Sequence, residues 1–265
     1  MPEPLPKLDL MSVKFDAVTE RQCVQYVLDS LDEGLGGWVV TMNLDHVRRT
    51  VLERSYRELC VDADVNVADG MILVWASALQ GTRLPERVAG SDLINSLTEF
   101  AAERGRSVFF LGGEEGTAEE ASKILRERHP ELKVAGTYYP PMGFEKDSNA
   151  LEDMKNAIVA AAPDIIYVAL GSPKQEILIK DLRAIMPTSW WMGVGISFSF
   201  VCGRVQRAPE WVQKFGLEWL HRLVQEPGRL AKRYLLHGIP FAAVLLACSL
   251  LRGLGRIVGI GKYRS

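Results

Sequence analysis

Short apolar runs that break off at a glycine or a small polar residue recur along this chain, and they limit its fold more than any other feature. GWVVTMN (37–43), VNVA (65–68), SVFFLGG (107–113), LKVAGTY (132–138), DIIYVALG (164–171) and WWMGVG (190–195) have the length and the β-branched and aromatic content of buried strands. Between them lie stretches with apolar residues at helical spacing. Cys23, Val24, Val27, Leu28 and Leu31 show that spacing, with Thr19 placed to cap the helix and Gly34 to end it. Asp45 is placed to cap a second such helix, carrying Val47, Val51, Leu52, Tyr56 and Leu59. The alternation predicts an α/β fold over residues 1–203: a Rossmann-like, mostly parallel sheet with helices on both faces.

In open α/β sheets, sites form at the carboxyl ends of the strands. The residues there are Thr41 and Asn43, then Asp69 and Gly70 in VADG, then the glycine-rich ends FLGGEEG and ALGSPKQE. Asp is also a favoured helix N-cap, so its position alone supports capping of the 71–79 helix as readily as chemistry. Gly112, Gly113 and Gly116 precede a helix that Thr117 can cap, and Gly171 precedes one with Ser172 as cap, Pro173 at its first position and Gln175 in its first turn. Such loops can offer N–H groups to a phosphate, or can simply be tight turns. No GxGxxG follows the first strand, and GVGISF lacks the third glycine, so a dinucleotide site has weak support. Asp62 and Asp64 form a DAD triplet that invites a metal-diphosphate reading. The triplet lies before VNVA, at the wrong end of its strand, and reads better as a solvated turn. The histidines lack ligand spacing, and only His46 falls near the strand ends.

Four cysteines without a CxxC pair suggest neither disulfides nor zinc, and MPEPLPKLDL lacks the features of a secretory signal, so the expected location is cytoplasmic. The formal net charge of −2 conceals an asymmetry. Residues 204–265 hold 11 of the 31 Lys and Arg but only 3 of the 33 Asp and Glu, a net of +8 against −10 for the remainder. A basic segment of this kind suits nucleic acid, an anionic membrane or a phosphorylated substrate. It has no strand alternation, and Pro209, Pro227 and Pro240 divide it into helical pieces. Arg229 and Arg233, four apart, would share a helix face and could grip one diphosphate. The apolar run 239–251 falls short of the about 20 residues of a spanning helix, so an interfacial segment flanked by Arg252, Arg256, Lys262 and Arg264 is expected, with a core or oligomer-interface helix as its competitor.

VKFDAVT, TMNLDH, VADG, RVAGSDL, FLGG, ALGSPKQE, GRVQRAPEW, GLEWLHRL and EPGRLAKRYL, in order from about residue 13 to residue 236, resemble the WecG/TagA/CpsF family of bacterial glycosyltransferases. The resemblance implies metal-independent, inverting transfer of a sugar from a UDP-sugar to a saccharide on polyprenyl diphosphate, for cell-surface polysaccharide or teichoic-acid-type synthesis. It implies no cofactor and no nucleic acid, a peripheral position on the inner face of the plasma membrane, and leaves a homo-oligomer open. Asp69 matches the family's proposed base, and Arg87, Arg222, Arg229 and Arg233 match positions thought to serve diphosphates. Thr41, Asn43 and Gln175 match polar residues of the sugar pocket. Ser199 stands where the family commonly has Asp, in FSF rather than FDF, which bears on nucleotide contact or donor choice. Two other readings remain at this level: a metal-dependent transferase using Asp62 and Asp64, and a non-catalytic nucleotide-sugar-binding subunit at the membrane.

Overall fold

A computed structural model describes residues 2–257. All six apolar runs are strands: β3 (Gly37–Met42), β4 (Val65–Ala68), β5 (Ser107–Gly112), β6 (Lys133–Tyr138), β7 (Ile165–Ala169) and β8 (Trp190–Gly193). They form one sheet in the order β4-β3-β8-β7-β5-β6, and every pairing is parallel. Successive residues serve opposite cores. Val108, Phe110, Ile165 and Tyr167 face one side, while Phe109, Leu111, Ile166 and Val168 face the other. Burial on both faces is why these strands are apolar throughout rather than alternating.

Helices α1 (Glu20–Asp32), α5 (Gly90–Glu103), α6 (Thr117–Arg128) and α9 (Ser197–Val201) cover the first face. The second is covered by α2 (Leu44–Leu52), α3 (Arg54–Cys60), α4 (Met71–Leu79), α7 (Ser148–Ala161) and α8 (Lys174–Leu182). The chain therefore leaves β3 and β7 toward one face and β5 and β8 toward the other. Strands whose connections diverge open a crevice at their carboxyl ends, where such folds place their sites.

A hairpin of β1 (Lys7–Leu10) and β2 (Val13–Asp16) precedes the sheet. Its turn uses Met11 and Ser12 at φ 52° and 66°, where glycine or asparagine is usual, so the sequence carries no turn signal there. The caps also differ from expectation. Asn43, not Asp45, caps α2, accepting from the N–H groups of Asp45 and His46. Gly116 precedes α6, and Thr117 donates to the Glu114 carbonyl instead of capping. Pro173 precedes α8, and the Ser172 hydroxyl sits 3.0 Å from that of Tyr56.

Residues beyond Arg204 form α10 (Glu210–Lys214), α11 (Glu218–Gln225), α12 (Pro227–Ala231) and α13 (Ile239–Ile257). Of the three expected proline breaks, those at Pro209 and Pro227 hold, α11 ending at Gln225 and α12 beginning at Pro227, and the one at Pro240 does not. Pro227 opens α12, where its missing N–H costs nothing. Pro240 lies inside a continuous helix, Pro227–Arg256, whose Lys232–Gly238 portion is widened into a π-helix. The wider turn accommodates the lost hydrogen bond and the ring that would clash four residues back. The apolar run thus belongs to a 30-residue helix, long and apolar enough by length and composition to cross a membrane. One stripe, Phe241, Leu245 and Ser249, is buried, and Gly253 packs so closely on the Leu79 carbonyl that a Cβ would lie 2.1 Å from it. Leu250, Leu251 and Leu254 remain exposed. Lys262 and Arg264, expected to flank this run, lie outside the described residues.

Candidate active site

A cavity of about 830 Å³ opens over the carboxyl ends of β3, β4, β7 and β8, with α4 on one side and α11 to α13 on the other. Of the residues singled out from sequence, Thr41, Asn43, Asp69, Gly70, Arg87, Gly113, Gly171, Gln175, Ser199, Arg222, Arg229 and Arg233 line it. Gly112 does not. It ends β5 beneath the cavity, where a Cβ would meet Leu170 at 2.8 Å, so it serves packing.

Asp69 directly follows β4, and its N–H donates to the Met42 carbonyl at 2.8 Å. It does not cap α4: Gly70 holds that position, and no side chain bonds to the helix start. The carboxylate lies in a deep, half-closed space whose poor solvation pushes its pKa up to about 7, with Arg87 partly opposing that rise. A carboxyl group that exchanges its proton near neutrality suits proton transfer. Thr41 lies on the floor beside the start of α5. A Cβ on Gly90 would approach its Oγ1 to 3.0 Å, so glycine is what lets the helix come this close.

The segment bearing Arg87 is pinned beside Asp69, because Val88 donates to the Ala68 carbonyl at 2.8 Å. Arg87 itself is heavily engaged. It donates to Glu218 at 2.6 Å, Asp92 at 2.9 Å and Gln213 at 3.0 Å. Arg207 grips the same Asp92 through two nitrogens and approaches Glu218 at 3.8 Å. These five side chains latch the C-terminal helices onto the sheet domain across the mouth of the cavity. Arg229 pairs with Glu226 at 2.6 Å, and Arg233 lies 3.2 Å from Asp45 without hydrogen-bond alignment. Arg222 differs: among the described residues no carboxylate lies in ion-pair range of it and its buried Nε has no hydrogen-bond partner, while its guanidinium lies 6.0 Å from the centre of the Phe200 ring. Buried Ser199, next to Phe200, also lines the cavity.

Residues 8–254 match the glycosyl transferase WecG/TagA/CpsF family. The chain belongs to this family. It is 32% identical over 227 residues to an N-acetylglucosaminyldiphosphoundecaprenol N-acetyl-beta-D-mannosaminyltransferase of Bacillus spizizenii strain W23, covering 86% of this chain and 84% of that one. To the protein of the same name in Bacillus subtilis strain 168 it is 30% identical over 199 residues, covering 75% of each.

In this WecG/TagA/CpsF glycosyl transferase the DAD carboxylates lie outside the site. Asp62 pairs with Lys180 at 3.1 Å. Asp64 pairs with Arg183 at 3.1 Å and accepts from the Trp38 N–H at 2.9 Å. Both are at the amino end of β4, and their counter-ions are protein cations. The latch residues Arg207, Gln213 and Glu218 were not singled out from sequence. Their partners Arg87 and Asp92 lie more than a hundred positions away, and no local spacing marks such a contact. His46 and Glu176, buried beside the cavity, were likewise given no role.

Proposed function

We propose that this glycosyl transferase moves a sugar from a UDP-sugar to a saccharide carried on polyprenyl diphosphate, with inversion at the anomeric carbon and no metal. The relatives' names, which specify a diphosphoundecaprenol-linked acceptor and an N-acetylmannosaminyl group, support the substrate class. The observation that carries the mechanism is Asp69: a carboxylate at a strand end, inside the cavity, with its pKa pushed up to about 7.

In this reading the acceptor hydroxyl gives its proton to Asp69 as its oxygen forms a bond to the anomeric carbon. The bond from that carbon to the diphosphate oxygen breaks on the opposite face, and UDP leaves with the electron pair. Charge developing on the departing diphosphate needs a cation held ready for it. Arg222 is the best placed for that role, because it has no carboxylate partner in ion-pair range among the described residues while Arg87, Arg229 and Arg233 do. Thr41, Asn43 and Gln175 line the space left for the sugar. Residues 1–203 would supply the chemistry, and 204–265 would close the site and hold it to the inner face of the plasma membrane.

For that attachment we favour α13 lying along the bilayer surface over crossing it. Its buried stripe docks on the body, and Arg252 and Arg256 both reach Gln80. Crossing would strip those contacts away. The test of function is UDP release with a short-chain prenyl-diphosphate saccharide, with and without EDTA, in wild type and Asp69→Asn. Turnover that survives EDTA and is lost in Asp69→Asn supports the reading. UDP binding without release under any condition would favour a nucleotide-sugar-binding subunit.

A further inference from the structure

Asp69 lies among arginines and pairs with none. Arg87, Arg207 and Arg222 all act on it through their charge, yet among the described residues its carboxylate takes part in no hydrogen bond or ion pair. A poorly solvated carboxylate ordinarily draws a neighbouring guanidinium into a two-pronged pair. Here the arginines' donors are already occupied. Arg87 gives Nη1 to Glu218 at 2.6 Å and Nη2 to both Asp92 at 2.9 Å and Gln213 at 3.0 Å. Arg207 gives both of its terminal nitrogens to Asp92.

The two carboxylates that hold these arginines differ in origin. Asp92 sits in the first turn of α5, on the sheet domain, and its Oδ2 is shared by Arg87 and Arg207. Glu218 opens α11 in the C-terminal segment; its Oε2 takes Arg87 while its Oε1 lies 3.8 Å from Arg207. Two carboxylates thus neutralise two arginines, and Asp69 and Arg222 are left unpaired on the cavity wall. Without the Glu218 charge, Asp92 alone would face both arginines. Arg87 Nη1 would lose its carboxylate, and the unengaged carboxylate that its charge already reaches is that of Asp69.

We propose that Glu218 is a positioning residue for the base: it holds Arg87 off Asp69, so that Asp69 is free to take a proton only while the C-terminal segment supplies this side chain. The inference rests on the proposed role of Asp69 as base. An arginine paired with Asp69 would occupy the oxygens to which an acceptor hydroxyl must give its proton, and would keep the carboxylate ionised and weakly basic. The charged groups acting on Asp69 are Arg87 and Asp92 beside the start of α5, Arg207 ahead of α10, and Glu218 and Arg222 on α11. Arg87 and Arg222 lower its pKa, while Glu218 and Asp92 raise it. Loss of Glu218 therefore acts twice in the same direction, by removing a negative charge and by releasing Arg87.

The test is the carboxyl titration of Asp69 itself, followed by NMR in protein labelled with carboxyl-13C aspartate, with Asp69→Asn identifying the signal, alongside the pH profile of UDP release. Glu218→Gln keeps the shape of the side chain and removes its charge. It should move the Asp69 midpoint down from about 7 by at least about one pH unit. The rising limb of kcat/KM should move with it, and the plateau should fall at least about threefold, because a weaker base accepts the proton less readily. In an Arg87→Gln background the same replacement should move the midpoint by less than about half as much, since no guanidinium is there to be released. Asp92→Asn, which removes the other carboxylate holding Arg87, should shift the midpoint in the same direction and serves if Glu218→Gln does not fold. A lowered plateau with the Asp69 midpoint unmoved would make Glu218 a structural residue only and overturn the inference. Equal shifts in the two backgrounds would overturn it as well, since Glu218 would then act without Arg87. Near-normal turnover in Asp69→Asn would overturn the base reading instead, and the titration would still show whether Glu218 governs this carboxyl group.

Discussion

Replacing Asp69 by Asn should make the protein more stable as well as nearly inactive, and the gain should depend on pH. The carboxyl group ionises near 3.8 in the unfolded chain but near 7 in the folded one. Between those values the folded state holds a proton that the unfolded state has released, so wild-type stability falls as pH rises and levels off above about 7. At about 1.4 kcal/mol per tenfold change in equilibrium constant, burying the ionised group costs about 4 kcal/mol above neutrality. Asparagine has nearly the same shape and does not titrate. The difference in unfolding free energy between Asp69→Asn and wild type should therefore widen by about 3 kcal/mol from pH 5 to pH 8, and by about 2 kcal/mol once the carboxylate's contact with cavity solvent is allowed for. Urea unfolding of both proteins at the two pH values measures it directly. Wild-type kcat/KM should climb with pH to a plateau above about 7, and Asp69→Asn should lose about 10²–10⁴ of turnover. A stability gap that stays constant between pH 5 and 8, or a variant of near-normal turnover, would refute the assignment of Asp69 as a base set by burial.

Four further expectations follow from the packing. Asp92→Asn weakens the carboxylate that Arg87 and Arg207 share, so the 204–226 segment should loosen, read as faster hydrogen exchange there at a cost of about 1–3 kcal/mol. Gly193→Ala forces its new methyl into Gln175 and should weaken donor binding with an overpacking cost of about 1–3 kcal/mol, seen by calorimetry and thermal melts. Leu251→Asp, on the exposed side of α13, should leave the melting temperature unchanged but reduce flotation with anionic vesicles; equal flotation would count against membrane contact through this face. Asp62→Asn paired with Asp64→Asn should leave both turnover and its response to divalent cations as in wild type, because these groups serve Lys180 and Arg183; a lost cation response would restore the metal reading.

The sheet was legible because its central strands β3, β5, β7 and β8 are buried on both faces, and that burial writes apolar runs into the sequence, whereas edge strand β6 is exposed to partly buried along its length. The hairpin was not, since β1 and β2 are four residues each and partly exposed, and their turn lacks glycine. Strand ends could be found once strands were found, which is why Thr41, Asn43, Asp69 and Gln175 meet in one cavity. Helix caps slipped because several polar residues near each start could serve, and only the backbone geometry decides which one does. Pro240 misled for a physical reason: proline ends a helix that keeps α geometry, but a π segment can absorb it. The latch left no local trace, since its bonds between the sheet domain and the C-terminal segment span 115 to 131 positions.

The basic C-terminal segment also takes on a different meaning once its partners are known. Read as a free charge of +8, it suggested an electrostatic surface for some external anion. Much of that charge is answered within the molecule. Arg204 pairs with Glu120, Arg207 with Asp92, Arg233 with Asp45 and Arg252 with Asp9, so basic tail and acidic body are complementary halves of an internal contact. These pairs sit at or near the surface, where each contributes little alone, but together they fix the register of the helices over the sheet. Arg222 is placed differently: it lines the cavity, has no carboxylate in ion-pair range and no partner for its buried Nε among the described residues, and contributes to the electrostatics of Asp69. A half-buried guanidinium with a buried, unpartnered N–H is completed by an anionic ligand that accepts from it. A diphosphate would do so in the cavity that holds Asp69, and Arg222→Ala should accordingly weaken UDP binding more than Arg229→Ala or Arg233→Ala, whose charges already have carboxylate neighbours. Equal losses for the three variants in a UDP titration would show that the intramolecular pairs open on binding and that all three arginines share the phosphates.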